Sequence, residues 1–299
     1  MDRVAVVYNA RSGVFLDAGS PRERLAGMFG RAGVTADVRP FDPHTLAADV
    51  RELLRAGPDA LFVAGGDGTV RSVAERMLGS DVPLGVIPAG TMNVLARDLG
   101  VPDGLEPAVA ALLAAPVTRI DVATVNDVPF LCSSALAMMP HLGRLREHAR
   151  GRPAAETLRL PGRVVRLLRR YPRLKLTIDV DGTVHHARTR AVVVSCNPLS
   201  AGPAPMPGRA RLDAGILAVY VTHDRTVWDL LAVAAGLIRG SWQRDGRVRT
   251  YTGETVRMES PSLAMMSVMS DGEIAQLTMP LRYGIRPRAL AVLAPGAAL

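Results

Sequence analysis

Gly65-Gly66-Asp67-Gly68-Thr69 follows the apolar run Ala60-Leu61-Phe62-Val63-Ala64 and precedes a helical pattern that begins near Val70. No other stretch constrains the chain as strongly, because this one predicts a strand, a tight turn and a helix in immediate succession. Glycines let the backbone take positive φ and approach a ligand closely, while the first amides of the following helix present N–H groups and the positive end of its dipole. Such a turn suits a nucleotide phosphate. It is neither the spaced-glycine dinucleotide fingerprint nor the phosphate loop ending in Gly-Lys-Ser/Thr, since no lysine follows the glycines and the centre is acidic. Asp67 is therefore a candidate for organising a magnesium ion. The competing reading is a glycine turn whose Thr69 only caps a helix.

The arrangement recurs about twenty residues on. Leu84-Gly85-Val86-Ile87 reads as a strand, Pro88-Ala89-Gly90 as a tight turn, and Thr91 as the cap of a helix from Met92 to Leu99, which Gly100 and Pro102 stop. Before these turns, strand-like runs at 4–8, 34–39 and 60–64 alternate with two helices. The first opens at Ser20-Pro21 with Leu25, Met28 and Phe29 inward, and the second carries Leu46, Val50, Leu53 and Leu54 on one face. This βαβαβα order predicts an α/β fold with a doubly wound parallel sheet, helices on both faces and ligands at the carboxyl ends of the strands. Asn9-Ala10-Arg11-Ser12-Gly13 leaves the first strand at that same edge.

After Asp121 alternating patterns replace helical ones. Runs at 174–180, 183–190, 191–196, 216–222, 263–269 and 273–279 predict antiparallel strands, with Asp181-Gly182 and Asp271-Gly272 where hairpin turns belong. Residues 227–238 predict a helix. The chain thus divides into a nucleotide-binding α/β domain over 1–120 and a β-rich domain over 121–299, and 299 residues with 48% apolar content suffice for two cores. Cys132 and Cys196 are the two cysteines and sit in apolar contexts, and the six histidines show no ligand spacing, so neither a disulfide framework nor a thiolate or imidazole metal site is expected. The opening residues show no basic leader with an apolar h-region, and no apolar run reaches the roughly 20 residues that span a bilayer. A cytoplasmic protein is expected.

The net charge is +8, and residues 141–175 hold eleven Arg or Lys against Glu147 and Glu156. There Val164, Leu167, Leu168 and Tyr171 share one helical face, with Arg163, Arg166, Arg169 and Arg170 on the others. Two readings stand: an interfacial amphipathic helix drawn to anionic lipid, or a packed helix with a solvated basic face. A specific nucleic-acid partner is not expected, because aromatics are 4% of the chain, Tyr171 alone interleaves with these arginines, and no zinc-finger spacing appears.

Taken in order, Gly65-Gly66-Asp67-Gly68-Thr69, Gly90-Thr91-Met92-Asn93 with Ala96-Arg97-Asp98-Leu99, and the late Asp271-Gly272-Glu273 resemble the diacylglycerol kinase catalytic-domain family over nearly the whole chain. Gly-Gly-Asp-Gly alone would also fit NAD kinases and 6-phosphofructokinases; the three motifs together are far more specific. The resemblance implies an NAD-kinase-like α/β domain and a C-terminal β-sandwich domain, with the nucleotide in the cleft between them. It also implies ATP-dependent phosphorylation of a lipid hydroxyl. Carried over by position, Asn9, Ala10, Arg11, Ser12 and Gly13 would touch the nucleotide. Gly65, Gly66, Asp67, Gly68, Thr69, Val70 and Arg71 would cradle its phosphates, and Thr91 would hydrogen-bond there as well.

Phosphoryl transfer needs charge stabilisation and a base or orienting carboxylate for the attacking alcohol. Asp271 and Glu273 are the candidates for base, which a hairpin turn from the second domain would deliver to a cleft where partial desolvation and neighbouring phosphates favour a carboxylate that accepts a proton. Glu273 is assigned as base and Asp67 as the magnesium-organising residue, the exchanged assignment remaining open. Two positions depart from the family pattern. Pro40-Phe41 stands where a nucleotide-contacting threonine is usual, so a phenyl ring would pack where a hydroxyl would bond. Ala214 stands where an acidic residue holds a structural magnesium, and Asp213 beside it should point elsewhere, so that metal site is not expected. The expected function is a Mg-ATP-dependent kinase that converts diacylglycerol to phosphatidic acid at an anionic membrane surface. A sphingoid-base or other lipid-alcohol kinase and a nonenzymatic lipid or nucleotide sensor are the alternatives. An exposed edge strand leaves a homodimer open.

Overall fold

A computed structural model describes residues 1–16, 19–149, 160–200, 207–244 and 246–296. The chain forms two compact units, one of Met1–Val122 with Ala210–Ala214 and Arg286–Leu299, the other of Ala123–Arg209 with Gly215–Ile285.

The first unit opens β1 (Arg3–Tyr8), α1 (Pro21–Arg31), β2 (Thr35–Pro40), α2 (Leu46–Arg55), β3 (Ala60–Gly65), α3 (Asp67–Met77), β4 (Leu84–Pro88), α4 (Val94–Asp98) and α5 (Leu105–Leu113). Helix α1 starts where the sequence places it, because Ser20 accepts the Glu23 N–H and Pro21 fits the first turn. The strands run parallel in the order β2-β1-β3-β4. Helices α1 and α5 pack together, as do α2 and α3, the two layers that right-handed crossovers in opposite directions from β1 require. Every residue of β3 is buried, as a strand covered on both faces must be. Phe62 meets Phe29 edge to face at 4.9 Å, and a Cβ on Gly85 would lie 2.5 Å from the Phe62 ring, so the neighbouring strand carries glycine there.

Register brings the carboxyl ends level. Tyr8 lies opposite both Pro40 and Ala64, and Gly65 lies opposite Pro88, so the loops after all four strands leave one edge. One expectation fails here. The helix after β4 begins at Val94 rather than Met92, and its cap is Asn93 in the left-handed region at φ 46°, not Thr91. Asn is one of the few side chains that tolerate this conformation, because it bonds its own local backbone.

The second unit contains β6 (Val128–Phe130), β7 (Ser133–Ala137), α6 (Met139–Ala149), α7 (Leu160–Arg170), β8 (Leu174–Val180), β9 (Thr183–Thr189), β10 (Ala191–Cys196), β11 (Leu217–Thr222), α8 (Val227–Arg239), β12 (Val248–Gly253), β13 (Thr255–Glu259), β14 (Met265–Ser270) and β15 (Glu273–Thr278). Two long strands, β5 (Val117–Val125) and β16 (Leu281–Leu293), start in one unit and end in the other. One antiparallel layer pairs β16 with β13, β13 with β8 and β8 with β9. The other runs β12-β11-β10-β7-β14-β15, also antiparallel throughout. Between them Phe130, Ile178, Met258 and Leu281 meet Leu136, Val192, Val219 and Val268 in one buried cluster, the core of a sandwich. Both hairpin turns form where Asp-Gly predicts them, with Asp181 and Gly182 at φ 47° and 86° and Asp271 and Gly272 at 48° and 88°.

Helix α7 lies in the basic segment, of which residues 150–159 fall outside the described ones. Its Leu168 is buried with Met138 and Leu230, and Val164, Leu167 and Tyr171 pack on the same cluster. The apolar stripe of α7 is therefore used against α6 and α8, and its arginine face remains outward.

Candidate active site

Every turn singled out in the first unit sits on the common carboxyl edge. Strands β1 and β3 flank the point where the strand order reverses, the position at which open α/β sheets bind ligands. There Asn9 donates through Nδ2 to Thr69 Oγ1 at 2.9 Å, and its Oδ1 accepts the Arg11 N–H at 3.0 Å. Asn9 thereby ties the loop after β1 to the first turn of α3. Ser12 is buried, and Ala10, Arg11 and Gly13 are exposed beside it. Phe41 follows β2 half-buried, its N–H bonded to the Tyr8 carbonyl at 2.7 Å, which puts the Phe41 backbone beside the end of β1.

The two glycine turns touch backbone to backbone. A Cβ on Gly90 would lie 2.5 Å from Gly66 Cα, and one on Gly65 would lie 2.7 Å from Thr69 Cβ. No other residue type fits either position without moving backbone. Asn93 closes the second turn by accepting the Gly90 N–H at 2.9 Å and donating to the Gly90 carbonyl at 3.0 Å. Asp67 begins α3, and its Oδ1 accepts the Val94 N–H at 2.7 Å, so one carboxylate joins the start of α3 to the start of α4. Burial pushes its carboxyl above the usual range, against the pull of the backbone N–H groups of Val94, Leu95, Asp67 and Asn93. Gly68 and Arg71 are half-buried and Thr91 is exposed. Val70 turns into the core and its N–H bonds to the Gly66 carbonyl, which leaves the N–H groups of the preceding residues at the helix mouth.

In the second unit Asp271 and Glu273 share a hairpin and have opposite surroundings. Asp271 is buried, and its two carboxylate oxygens accept three backbone N–H groups, from Leu131 at 2.6 Å, Cys132 at 2.9 Å and Ser133 at 3.1 Å. Its own N–H returns to the Ser133 carbonyl at 3.0 Å. Burial pushes its carboxyl up, while those three N–H groups and nearby Arg209 pull it down. Arg209, buried as well, donates to the carbonyls of Leu131 at 2.5 Å and Cys196 at 3.0 Å. Two residues along, Glu273 starts β15 opposite Ser270 and is exposed.

Asn93 and Arg209 had been given no role. Asn after Gly-Thr-Met was a usable signal, since Asn favours αL turns. Nothing local marks Arg209, whose partners lie 78 and 13 residues away.

Among the described residues no group of three or more His, Cys, Asp or Glu could hold a metal ion. Asp213 accepts Arg211 at 3.0 Å and Arg288 at 3.3 Å on its two oxygens. A divalent cation there would meet two guanidinium charges.

Comparison with known proteins agrees with this architecture. Residues 3–125 match the diacylglycerol kinase catalytic domain, and residues 144–294 match the YegS C-terminal NAD kinase beta sandwich-like domain. The chain is 28% identical over 260 residues to a diacylglycerol kinase of Mycobacterium tuberculosis, covering 83% of this chain and 82% of that protein. It is 34% identical over 99 residues to the "Probable lipid kinase YegS" of Escherichia coli, covering 31% of this chain and 33% of that protein. The crystal structure of a diacylglycerol kinase from Bacillus anthracis superposes with a TM-score of 0.73 at 18% identity, covering 100% of this chain and 98% of that one. The chain belongs to the diacylglycerol kinase catalytic-domain family, in the form that carries a YegS-type NAD-kinase-like β-sandwich domain.

Proposed function

We propose that this protein transfers the terminal phosphate of ATP to the free hydroxyl of diacylglycerol, giving phosphatidic acid and ADP. The observation that carries the reading is the contact of the two glycine turns at Gly66 and Gly90, beside the N-terminus of α3 on the carboxyl edge of the sheet. Bare backbone and helix N–H groups there can approach a polyphosphate as no side-chain-bearing loop can. Asn9, Thr69 and Asn93 hold these turns in place, and Arg11 and Arg71 supply positive charge near them.

In the proposed reaction the acceptor oxygen bonds to the γ-phosphorus, the bond from that phosphorus to the bridging oxygen of ADP breaks, and the hydroxyl proton passes to Glu273. Asp271 is a positioning residue. Three N–H bonds fix its carboxylate inward, so it anchors the turn from which Glu273 projects and does not itself reach the acceptor. Among the described residues no cage of protein carboxylates is built for magnesium, which suits an ion that prefers phosphate and water ligands with one or two carboxylates. Asp67 is the carboxylate on the glycine-turn edge and would hold it; when bound, the ion neutralises charge developing on the phosphates.

Radiolabelled ATP offered with diacylglycerol, sphingosine, ceramide and NAD in mixed micelles tests the assignment. Label in phosphatidic acid alone is the expected result. Label in a sphingoid phosphate instead would move the acceptor to that class, and ATP binding without transfer to any acceptor would replace the kinase by a sensor.

A further inference from the structure

Helix α8 carries apolar side chains outward as well as inward. Leu230, Val233 and Gly236 are buried, whereas Trp228, Leu231 and Ile238 are 74%, 39% and 64% exposed. Those three stand at spacings of three and seven residues, so they form one stripe along the outer face. A tryptophan and an isoleucine this exposed on one helix face mark a surface that meets something apolar.

We propose that this stripe docks α8 in the plane of an anionic lipid bilayer. Charge identifies the occupant. Helix α7 packs beside α8 through Leu168 and Leu230, contains four arginines and no acidic residue, and exposes all four of them. A surface that pairs an apolar stripe with a basic rim matches the interfacial region of a membrane containing acidic lipids, where aliphatic chains bury and guanidinium groups meet phosphate. Tryptophan prefers that depth, because its ring is apolar and its N–H is not. Thirteen residues make α8 about 20 Å long, and no helix among the described residues is long and apolar enough to cross a membrane, so α8 lies along the surface. The role of α7 changes with this placement: its apolar face is packed inward, and it supplies charge beside a neighbour that supplies insertion. The proposal rests on the lipid-kinase reading for its purpose, since the acceptor hydroxyl sits at headgroup level.

The chain has two tryptophans, and Trp242 is 2% exposed, so a change in emission on adding vesicles reports chiefly on Trp228. With vesicles of phosphatidylglycerol and phosphatidylcholine, we expect a blue shift and quenching by brominated acyl chains. In sedimentation with the same vesicles, Trp228→Ala/Ile238→Ala should lower the partition coefficient at least tenfold, with unchanged circular dichroism and unchanged transfer to a dispersed short-chain diacylglycerol. Arg166→Gln/Arg170→Gln should weaken binding and flatten its dependence on the acidic-lipid fraction. Unchanged emission, or equal binding by the Trp228 variant, would overturn the proposal. So would concentration-dependent self-association that shields Trp228 without lipid, which would give the stripe to a second copy of the chain. None of the binding readouts requires turnover, so a chain that binds vesicles yet transfers no phosphate would sink the kinase reading and leave the docking surface standing.

Discussion

Asp271 illustrates how far a side chain's role depends on residues remote in sequence. As part of Asp-Gly-Glu it reads as a candidate base, yet its carboxylate serves backbone N–H groups some 140 residues earlier. Truncation would leave three buried donors unmatched, and with about 1–3 kcal/mol for each we expect Asp271→Ala to destabilise the second unit by roughly 3 kcal/mol or more. Asp271→Asn, which keeps one acceptor oxygen, should fall between it and wild type in urea unfolding. Asp67 predicts the opposite sign. Its carboxyl is raised above the ordinary value of 3.8 by burial, so the folded chain binds the proton more tightly than the unfolded chain does. Stability therefore falls as pH rises from the unfolded value through the folded one. Asp67→Asn retains an oxygen for the Val94 N–H and removes this dependence. Its melting temperature should match that of wild type at low pH and exceed it increasingly above pH 4, while phosphate transfer is lost. A wild-type melting temperature that stays equal to the variant's across pH 3–8 would contradict that account.

At the level of elements, what the sequence revealed and what it hid have separate causes. Strands β1 to β4 and the two Asp-Gly hairpins were legible because their signals are local: apolar runs between turn residues, and residues suited to positive φ. Strand β6 has three residues and β16 carries Arg286, Pro287 and Arg288 in its middle, so neither shows an unbroken pattern of alternation. The start of α4 was misplaced because Thr91 is a good cap by type, whereas Asn93 wins by adopting αL and closing the Gly90 turn. The glycine turns themselves were visible, but their mutual contact was not, since it depends on the register of β3 against β4. That contact makes a direct prediction. Gly90→Ala forces a Cβ to within 2.5 Å of Gly66 Cα, and the backbone shift should cost roughly 1–3 kcal/mol and weaken ATP binding at least tenfold in titration calorimetry. Gly13→Ala, with nothing within 4 Å of its Cβ, should leave stability unchanged and serves as the control.

For the whole molecule, the proposed function draws on two units with different physics. The first offers backbone N–H groups on the edge of a parallel sheet that is buried on both faces, the rigid mount that the proposed function gives to a nucleotide. The second is an antiparallel sandwich whose hairpin carries an exposed carboxylate on an anchored turn and whose helices present a basic and apolar surface. In the proposed reaction the first unit contributes the nucleotide residues and the second contributes the base. Single-turnover transfer of the γ-phosphate to diacylglycerol by Glu273→Gln, at ATP concentrations shown by calorimetry to saturate the protein, tests this most directly. The account predicts ATP affinity equal to wild type and a transfer rate lower by about 10²–10⁴-fold, the contribution of a positioned general base. Transfer at the wild-type rate with ATP saturating would contradict it.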